Sequence, residues 1–388
     1  MLIDPERQAR TLAALAASPH DVLICDSATE VLLLTGYWPV MGASIAVLSV
    51  DGALKVIVPE DEVELASRTS CAEIIPYQPA GLDTLNNPLQ MLKEPLRSVM
   101  KALQAPKAKV GMQLENGVQP SSYAVSYQFR ASLLELLREL QPQSHFASCD
   151  ELLEQVKAVK TPRELGLIQK SCDVAAAGFN VAQSSIHPGM HETEIAAAIQ
   201  GAFETTTQAE GLERSYGYFF CMSGPNSAKA AAAYARTRRR VVEEGDLVMI
   251  HANTCADGYW TDLTRTYTAG RPSQKQNDIR IAIDAARAAG LSAIHPRATG
   301  HEVDRAARDV MKSHGFGSEF KHAAGHGVGF AAANPNGRPR IHPLSPDVLE
   351  AGMTFNLEPA AYFEGYGGMR HCNVIAVTSD GAKVMTDF

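Results

Sequence analysis

Two stretches of this 388-residue chain repeat one another. The first runs Gly245-Asp246-Leu247-Val248-Met249-Ile250-His251 and continues to Asp257-Gly258-Tyr259. The second runs Gly352-Met353-Thr354-Phe355-Asn356-Leu357-Glu358 and continues to Glu364-Gly365-Tyr366. In each, a residue with metal-ligand chemistry stands six positions beyond the Gly, and an acidic-Gly-Tyr turn follows at the same offset. A strand, a turn and a returning strand that occur twice call for a sheet with approximate twofold symmetry. Such symmetry brings the ends carrying His251 and Glu358 together at its centre.

The flanking sequence supplies helices. Thr161-Pro162-Arg163-Glu164 opens one with a capping box and a Pro at the first helical position. His191-Glu192-Thr193-Glu194 starts another after Pro188-Gly189, and Ala-rich helices are expected at 277–294 and 301–314. Strands are expected near 246–251, 259–268, 353–358 and 370–378. Helices on one side of a curved antiparallel sheet make residues 151–388 an α+β domain. Upstream, Asp21–Cys25, Ser44–Ser49 and Ala53–Val58 read as buried strands, with an Asp51-Gly52 hairpin turn between the last two. Gly81–Asn87 reads as a loop and Ser122–Leu140 as an amphipathic helix. Residues 1–150 therefore form a smaller α/β domain, a division that the length of the chain also suits.

Composition narrows the functional classes. The formal net charge of −8 argues against binding a phosphate backbone. No apolar run approaches the roughly 18–20 residues of a membrane span, and the first residues, MLIDPERQARTLAAL, lack the apolar core of a signal peptide. The seven Cys are dispersed with no CxxC pair, which implies reduced thiols and a cytoplasmic location.

Alternation along the return strands sorts the candidate site residues. Asp262, Thr264 and Thr266 share one strand face. Arg370, Cys372 and Val374 share another, with His371 and Asn373 opposite. His322-Ala323-Ala324-Gly325-His326-Gly327-Val328-Gly329 adds two His four apart among glycines that permit close backbone approach. Its GxGxxG-like spacing lacks a βαβ setting and is a poor dinucleotide signal. Tyr218, Phe219, Phe220 and Tyr234 are equally candidates for pocket lining and for core.

These pieces resemble the family that contains creatinase, prolidase, aminopeptidase P and methionine aminopeptidase. The resemblance rests on Ser223-Gly224-Pro225-Asn226, Gly245-Asp246, Asp257-Gly258-Tyr259, Asp262-Leu263-Thr264-Arg265-Thr266, Gly325-His326-Gly327-Val328-Gly329 and Glu358-Pro359, in order. Glu30-Val31-Leu32-Leu33-Leu34-Thr35-Gly36-Tyr37 resembles the signature of the creatinase-type N-terminal domain. The resemblance implies a pita-bread domain, a homodimer and a site that holds two divalent ions with two Asp, one His and two Glu. Asp262, His326 and Glu358 match three of those ligands. His251 stands where the first Asp is expected, and Cys372 where the last Glu is expected. Of the two catalytic His, one is missing between His191 and His251, and Ala333 stands at the other's place. His322 matches a further family His.

These replacements change the chemistry. A neutral imidazole at His251 removes a charge and an oxygen, and a soft thiol at Cys372 replaces a two-oxygen bridge. The expectation is a divalent ion (Zn, Fe or Mn, one or two in number) on Asp262, His326 and Glu358, with His251 and Cys372 as auxiliary ligands. His322 and Arg370 are the catalytic candidates. The leading reading is a hydrolase that cleaves a C–N bond of a small molecule with a metal-activated water. The alternatives are an Xaa-Pro aminopeptidase or dipeptidase, a lyase or redox enzyme with mononuclear iron, and a non-catalytic binding module.

Overall fold

A computed structural model of the chain describes residues 4–40, 44–70, 72–79, 85, 88–102, 107–114, 118–120, 125–127, 131–206, 212–231, 236–334 and 337–388. The chain divides into two compact units, Met1–Gln119 with Ser126–Lys157, and Pro120–Val125 with Ala158–Phe388. In the first unit, alternating short apolar runs build a six-stranded mixed sheet. Its order is Glu73–Tyr77, Leu54–Pro59, Ile45–Ser49, Val22–Cys25, Lys109–Met112 and His145–Ser148. The Asp51-Gly52 turn joins an antiparallel pair, Ile45–Ser49 with Leu54–Pro59, and Gly52 takes the positive φ the turn needs. The expected helix over Ser122–Leu140 is shorter: Val125–Tyr127 is extended and the helix spans Ala131–Leu140. The leucines that define its apolar face all lie beyond residue 131, and the Ser- and Tyr-rich stretch before it has no helical period. The expected loop at Gly81–Asn87 lies outside the described residues except Leu85.

The second unit begins with helix α1 (Pro162–Ser185), whose capping box forms as the sequence implies. The Glu164 N–H donates to Thr161 Oγ1, and the Thr161 N–H donates to the Glu164 carboxylate at 2.9 Å. Helix α2 (Glu192–Thr206) and strands β1 (Ser215–Ser223), β2 (Leu247–Ala256) and β3 (Tyr259–Thr268) complete the first half, with sheet order β3-β2-β1. The second half has helices α3 (Gln274–Ser292) and α4 (Gly300–Ser313), then strands β4 (Thr354–Leu357), β5 (Ala360–Phe363), β6 (Gly367–Arg370), β7 (Asn373–Val377) and β8 (Ala382–Val384). Each half packs its helices on one sheet face. Phe179 of α1 and Phe203 of α2 meet Phe219 of β1 at ring separations of 5.5 Å. Ile283 of α3 and Val303 of α4 share a buried cluster with Phe355 and Ile375. No helix of the described residues is long and apolar enough to cross a membrane.

The repeat appears as two hairpins with a difference. Asp257 and Gly258, both at positive φ, turn β2 into β3, and Gly365 at positive φ turns β5 into β6. The first hairpin is a continuous ladder from Leu247 to Thr268. The second is interrupted at Glu358-Pro359 and His371-Cys372. Pro359 has no N–H to offer the ladder, which breaks there. The break frees Cys372 to donate its N–H to the Thr264 carbonyl of the first half at 3.0 Å, while beside it the Arg370 N–H donates to Thr266 Oγ1 and the Thr266 hydroxyl is within bonding distance of the Arg370 carbonyl. The interruption therefore stitches the two halves together.

The His326 segment runs alongside β4. The Asn356 N–H donates to the His326 carbonyl and the Glu358 N–H to the Ala324 carbonyl. A Cβ on Gly325 would lie 1.8 Å from the Asn356 carbonyl oxygen, so only Gly allows this approach. Gly325→Ala is expected to destabilise this unit by about 3 kcal/mol, the upper end of overpacking effects. Guanidinium unfolding checks it, and an unshifted midpoint would contradict the close approach.

Candidate metal centre

The hairpin registers bring the site together. On β2 and β3, His251 faces Thr264 and Asn253 faces Asp262. The broken second hairpin adds Glu358, Tyr362, Arg370 and Cys372, and the segment beside β4 adds His322 and His326. Asp262, Glu358, His251, Arg370 and Cys372 are all buried.

Arg370 occupies the middle. Its Nε donates to Thr264 Oγ1 at 2.9 Å and its Nη2 donates to His251 Nδ1 at 2.9 Å. Its Nη1 lies 3.4 Å from the Tyr362 hydroxyl and 3.6 Å from a Glu358 oxygen. A guanidinium has no acceptor, so His251 Nδ1 must accept and the imidazole is the neutral Nε2–H form. Its pKa agrees: burial, aided by Arg370 and His326 and opposed by Asp262, pushes it down to about 4. Phe220 stacks on this ring at 6.1 Å and Tyr218 stacks on Phe220 at 6.3 Å. Phe219 turns to the opposite face and joins the core, and Tyr234 lies outside the described residues.

Asp262 stands between two imidazoles. Its Oδ1 is 3.6 Å from His251 Nδ1, and its Oδ2 is 3.5 Å from His326 Nε2. The buried Oδ1 has no hydrogen-bond partner, and neither has the Oδ1 of Asn253 directly across the ladder. His326 Nδ1 faces the Gly327 carbonyl at 3.2 Å, and Asn356 Nδ2 faces His326 Nε2 at 3.2 Å. In neutral His326 this leaves Nε2 an acceptor aimed past Asn356 at a carboxylate. Each ring nitrogen that faces Asp262 also faces a donor, Arg370 Nη2 at His251 and Asn356 Nδ2 at His326, so the atom left unsatisfied among these is Asp262 Oδ1. A proton on His326 pairs with the Asp262 carboxylate. Burial lowers the pKa of His326, but Asp262 and Glu358 outweigh it and the net direction is upward. For Asp262 burial acts upward and is outweighed by His251, His326 and Arg370, so its pKa falls.

Asp262, His326 and Glu358 carry donor types suited to a divalent ion. Two carboxylates, Asp262 and Glu358, share one guanidinium, that of Arg370. Among the described residues, no group of three or more His, Cys, Asp and Glu side chains is arranged to hold a metal ion as the side chains stand. Arg370 holds the one Nδ1 lone pair through which His251 would join a ligand set on this side. Cys372 presents a thiol. Its Sγ donates to the Asp262 carbonyl at 3.1 Å, and burial with Asp262 and Glu358 raises its pKa well above the usual range. His371 points away from this cluster, with its Nδ1 3.9 Å from Asp284.

His322 sits at the end of a polar chain. Its Nε2 is 3.0 Å from the Tyr362 hydroxyl, and its Nδ1 is 2.8 Å from the Ala323 carbonyl. Burial lowers its pKa, helped by Arg370 and opposed by Glu358, which keeps it neutral. Arg370 thus donates to Tyr362, Tyr362 to His322, and His322 to backbone. Thr264, Tyr362, Asn253 and Asn356 are site residues that the sequence reading did not single out. Thr264 alone had a signal, its shared face with Asp262.

Comparison with known proteins names the class. Residues 166–379 match metallopeptidase family M24, and the chain belongs to that family. Its fold is the pita-bread fold, and membership makes it a metallohydrolase by class. Among curated relatives, an Xaa-Pro dipeptidase of Pyrococcus horikoshii is 27% identical over 94% of this chain and 92% of its own. One of Pyrococcus furiosus is 31% identical over 66% of this chain and 70% of its own. Among solved structures, an Xaa-Pro dipeptidase from Bacillus anthracis superposes with a TM-score of 0.81 at 25% identity, covering 99% of this chain and 98% of that one.

The neutral state of His251 has a consequence for stability. An unfolded His binds a proton near pH 6.5, whereas the folded one resists until about pH 4. Stability from this group is therefore complete above pH 6.5 and is lost as pH falls toward 4, by on the order of 3 kcal/mol. Unfolding of chelator-treated protein between pH 7 and 4.5 is expected to show a shallower pH slope for His251→Asn than for wild type. Equal slopes would contradict the assignment.

Proposed function

We propose that this chain is a C–N hydrolase centred on a single divalent ion (Zn, Fe or Mn), with Xaa-Pro dipeptides as its substrate class. The observation that carries the reading is Asp262, whose two oxygens face His251 Nδ1 and His326 Nε2 at 3.6 and 3.5 Å with Oδ1 unpartnered. The relatives named Xaa-Pro dipeptidase support the substrate class. In this reading Asp262, His326 and Glu358 hold the ion, and His251 and Cys372 stand at its edge. The ion's contribution when bound is to make a water nucleophilic at neutral pH.

The protein's own groups do the rest. Arg370 keeps His251 neutral, offsets the charge of Glu358 and orients the Tyr362 hydroxyl. Tyr362 and His322 hold an exchangeable proton of the kind a departing amine requires. Cys372 anchors the Asp262 backbone as a neutral donor. The proposal extends to a homodimer that acts in the cytoplasm, in keeping with the six described cysteines, all buried.

A second reading, a small non-peptide C–N substrate, is favoured by one observation. No His occurs between His191 and His251, and Ala333 occupies the other expected His position. Steady-state hydrolysis of Ala-Pro and Leu-Pro separates the cases. Wild type is expected to cleave them, Asp262→Ala to lose at least roughly a thousandfold in kcat, and Tyr362→Phe to lose about a hundredfold with KM little changed. Undiminished turnover by Asp262→Ala overturns the metal-centred reading. Cleavage of small amides or guanidino compounds with Xaa-Pro dipeptides left intact overturns the substrate class in favour of the second reading.

A further inference from the structure

Two neighbouring site residues each carry a buried oxygen with no hydrogen-bond partner, Oδ1 of Asp262 and Oδ1 of Asn253. Asn253 on β2 stands opposite Asp262 on β3, two residues beyond His251 and on the same sheet face. The kind of pair they make follows from the hydrogen bonds of β3. The Thr264 carbonyl accepts from Cys372 and the Trp260 N–H donates to Gly329, so both point away from β2. The pairs His251–Thr264 and Cys255–Trp260 are therefore of the non-hydrogen-bonded kind, and so is Asn253–Asp262 midway between them. In such pairs the Cα atoms lie about 4.5 Å apart and the side chains stand at their closest.

The Asn253 amide is out of reach of bulk water, since the residue is 1% exposed. A buried amide oxygen left unpartnered is costly. The other asparagine of the site shows the usual solution. Asn356 Oδ1 accepts the His326 N–H at 2.7 Å and its Nδ2 faces His326 Nε2 at 3.2 Å, so its amide is engaged at both ends. Asn253 has one long contact, 3.4 Å from Nδ2 to the Ala252 carbonyl, and it leaves Oδ1 unused. Arg370 does not supply the missing partner, being committed to Thr264, His251, Tyr362 and Glu358.

We infer that Asn253 Oδ1 is a ligand of the divalent ion and returns the oxygen that an imidazole at His251 removes. The inference rests on the metal-centred reading above and adds a fourth donor to Asp262, His326 and Glu358. An amide oxygen is a hard, neutral ligand. It raises the ligand count without adding a third carboxylate to the two that Arg370 already balances. A purely structural Asn253, turned to donate Nδ2 to Asp262, would compete with an ion for that carboxylate. The two roles therefore differ in sign: removing a ligand weakens metal binding, and removing a competitor tightens it.

The test is calorimetric titration of the chelator-treated full chain with Mn, an ion that carbonyl oxygens suit. Asn253→Ala is expected to bind Mn at least roughly tenfold more weakly than wild type, as loss of a direct ligand should cost no less than loss of a group behind one. Asn253→Asp keeps the size of the side chain and an oxygen in place, and is expected to bind Mn at least as tightly as wild type. Unchanged or tighter binding in Asn253→Ala, or weaker binding in Asn253→Asp, would overturn the inference and leave the metal-centred reading standing. Absence of saturable Mn binding by wild type would overturn both.

Discussion

The guanidinium of Arg370 ties the two halves of the catalytic unit to one charge. From the first hairpin it takes Thr264 and His251, each at 2.9 Å, and from the second it takes Tyr362 at 3.4 Å and Glu358 at 3.6 Å. A group that only donates and never loses its proton dictates the states of its partners. His251 must stay neutral, Asp262 is held charged, and Tyr362 is turned so that its proton faces His322. Without Arg370 two buried carboxylates would lose their permanent counter-charge, a costly arrangement in a protein interior.

That constraint bears on the ion. In the pattern this family resembles, five ligands, four of them carboxylates, meet two divalent cations. In the proposed site His251 and Cys372 stand where two of those carboxylates are expected, and the Cys372 thiol donates to the Asp262 carbonyl. The remaining negative charge is partly met by Arg370 from within the protein. In the proposed reading a single ion on Asp262, His326 and Glu358 would satisfy the unpartnered Asp262 oxygen, whereas a second ion would compete with Arg370 for His251. Fold and family therefore describe the scaffold more closely than they describe the reaction.

The scaffold was legible because its signals are local. Capping at Thr161, glycine turns at Asp257-Gly258 and Glu364-Gly365, and period-two alternation in β3 each arise within a few residues of chain. Alternation also placed Arg370 and Cys372 on the face opposite His371, as the structure does. What it did not disclose depends on which residues pair across each hairpin, which alternation alone does not set. Thr264 matters because it pairs with His251, Asn253 because it lies across from Asp262, and Tyr362 because it lies diagonally across its hairpin from Arg370. The helix expected from Ser122 was overextended for a related reason: the leucines beyond residue 131 dominated a window whose first half has no helical period.

The central claim is that Arg370 supplies positive charge which leaves room for one metal ion and not two. Calorimetric titration of chelator-treated wild-type protein with Zn and with Mn, with bound metal counted by mass spectrometry, tests it most directly. The account predicts saturation at one ion per chain. Saturation at two ions per chain, with wild-type Arg370 in place, would contradict it.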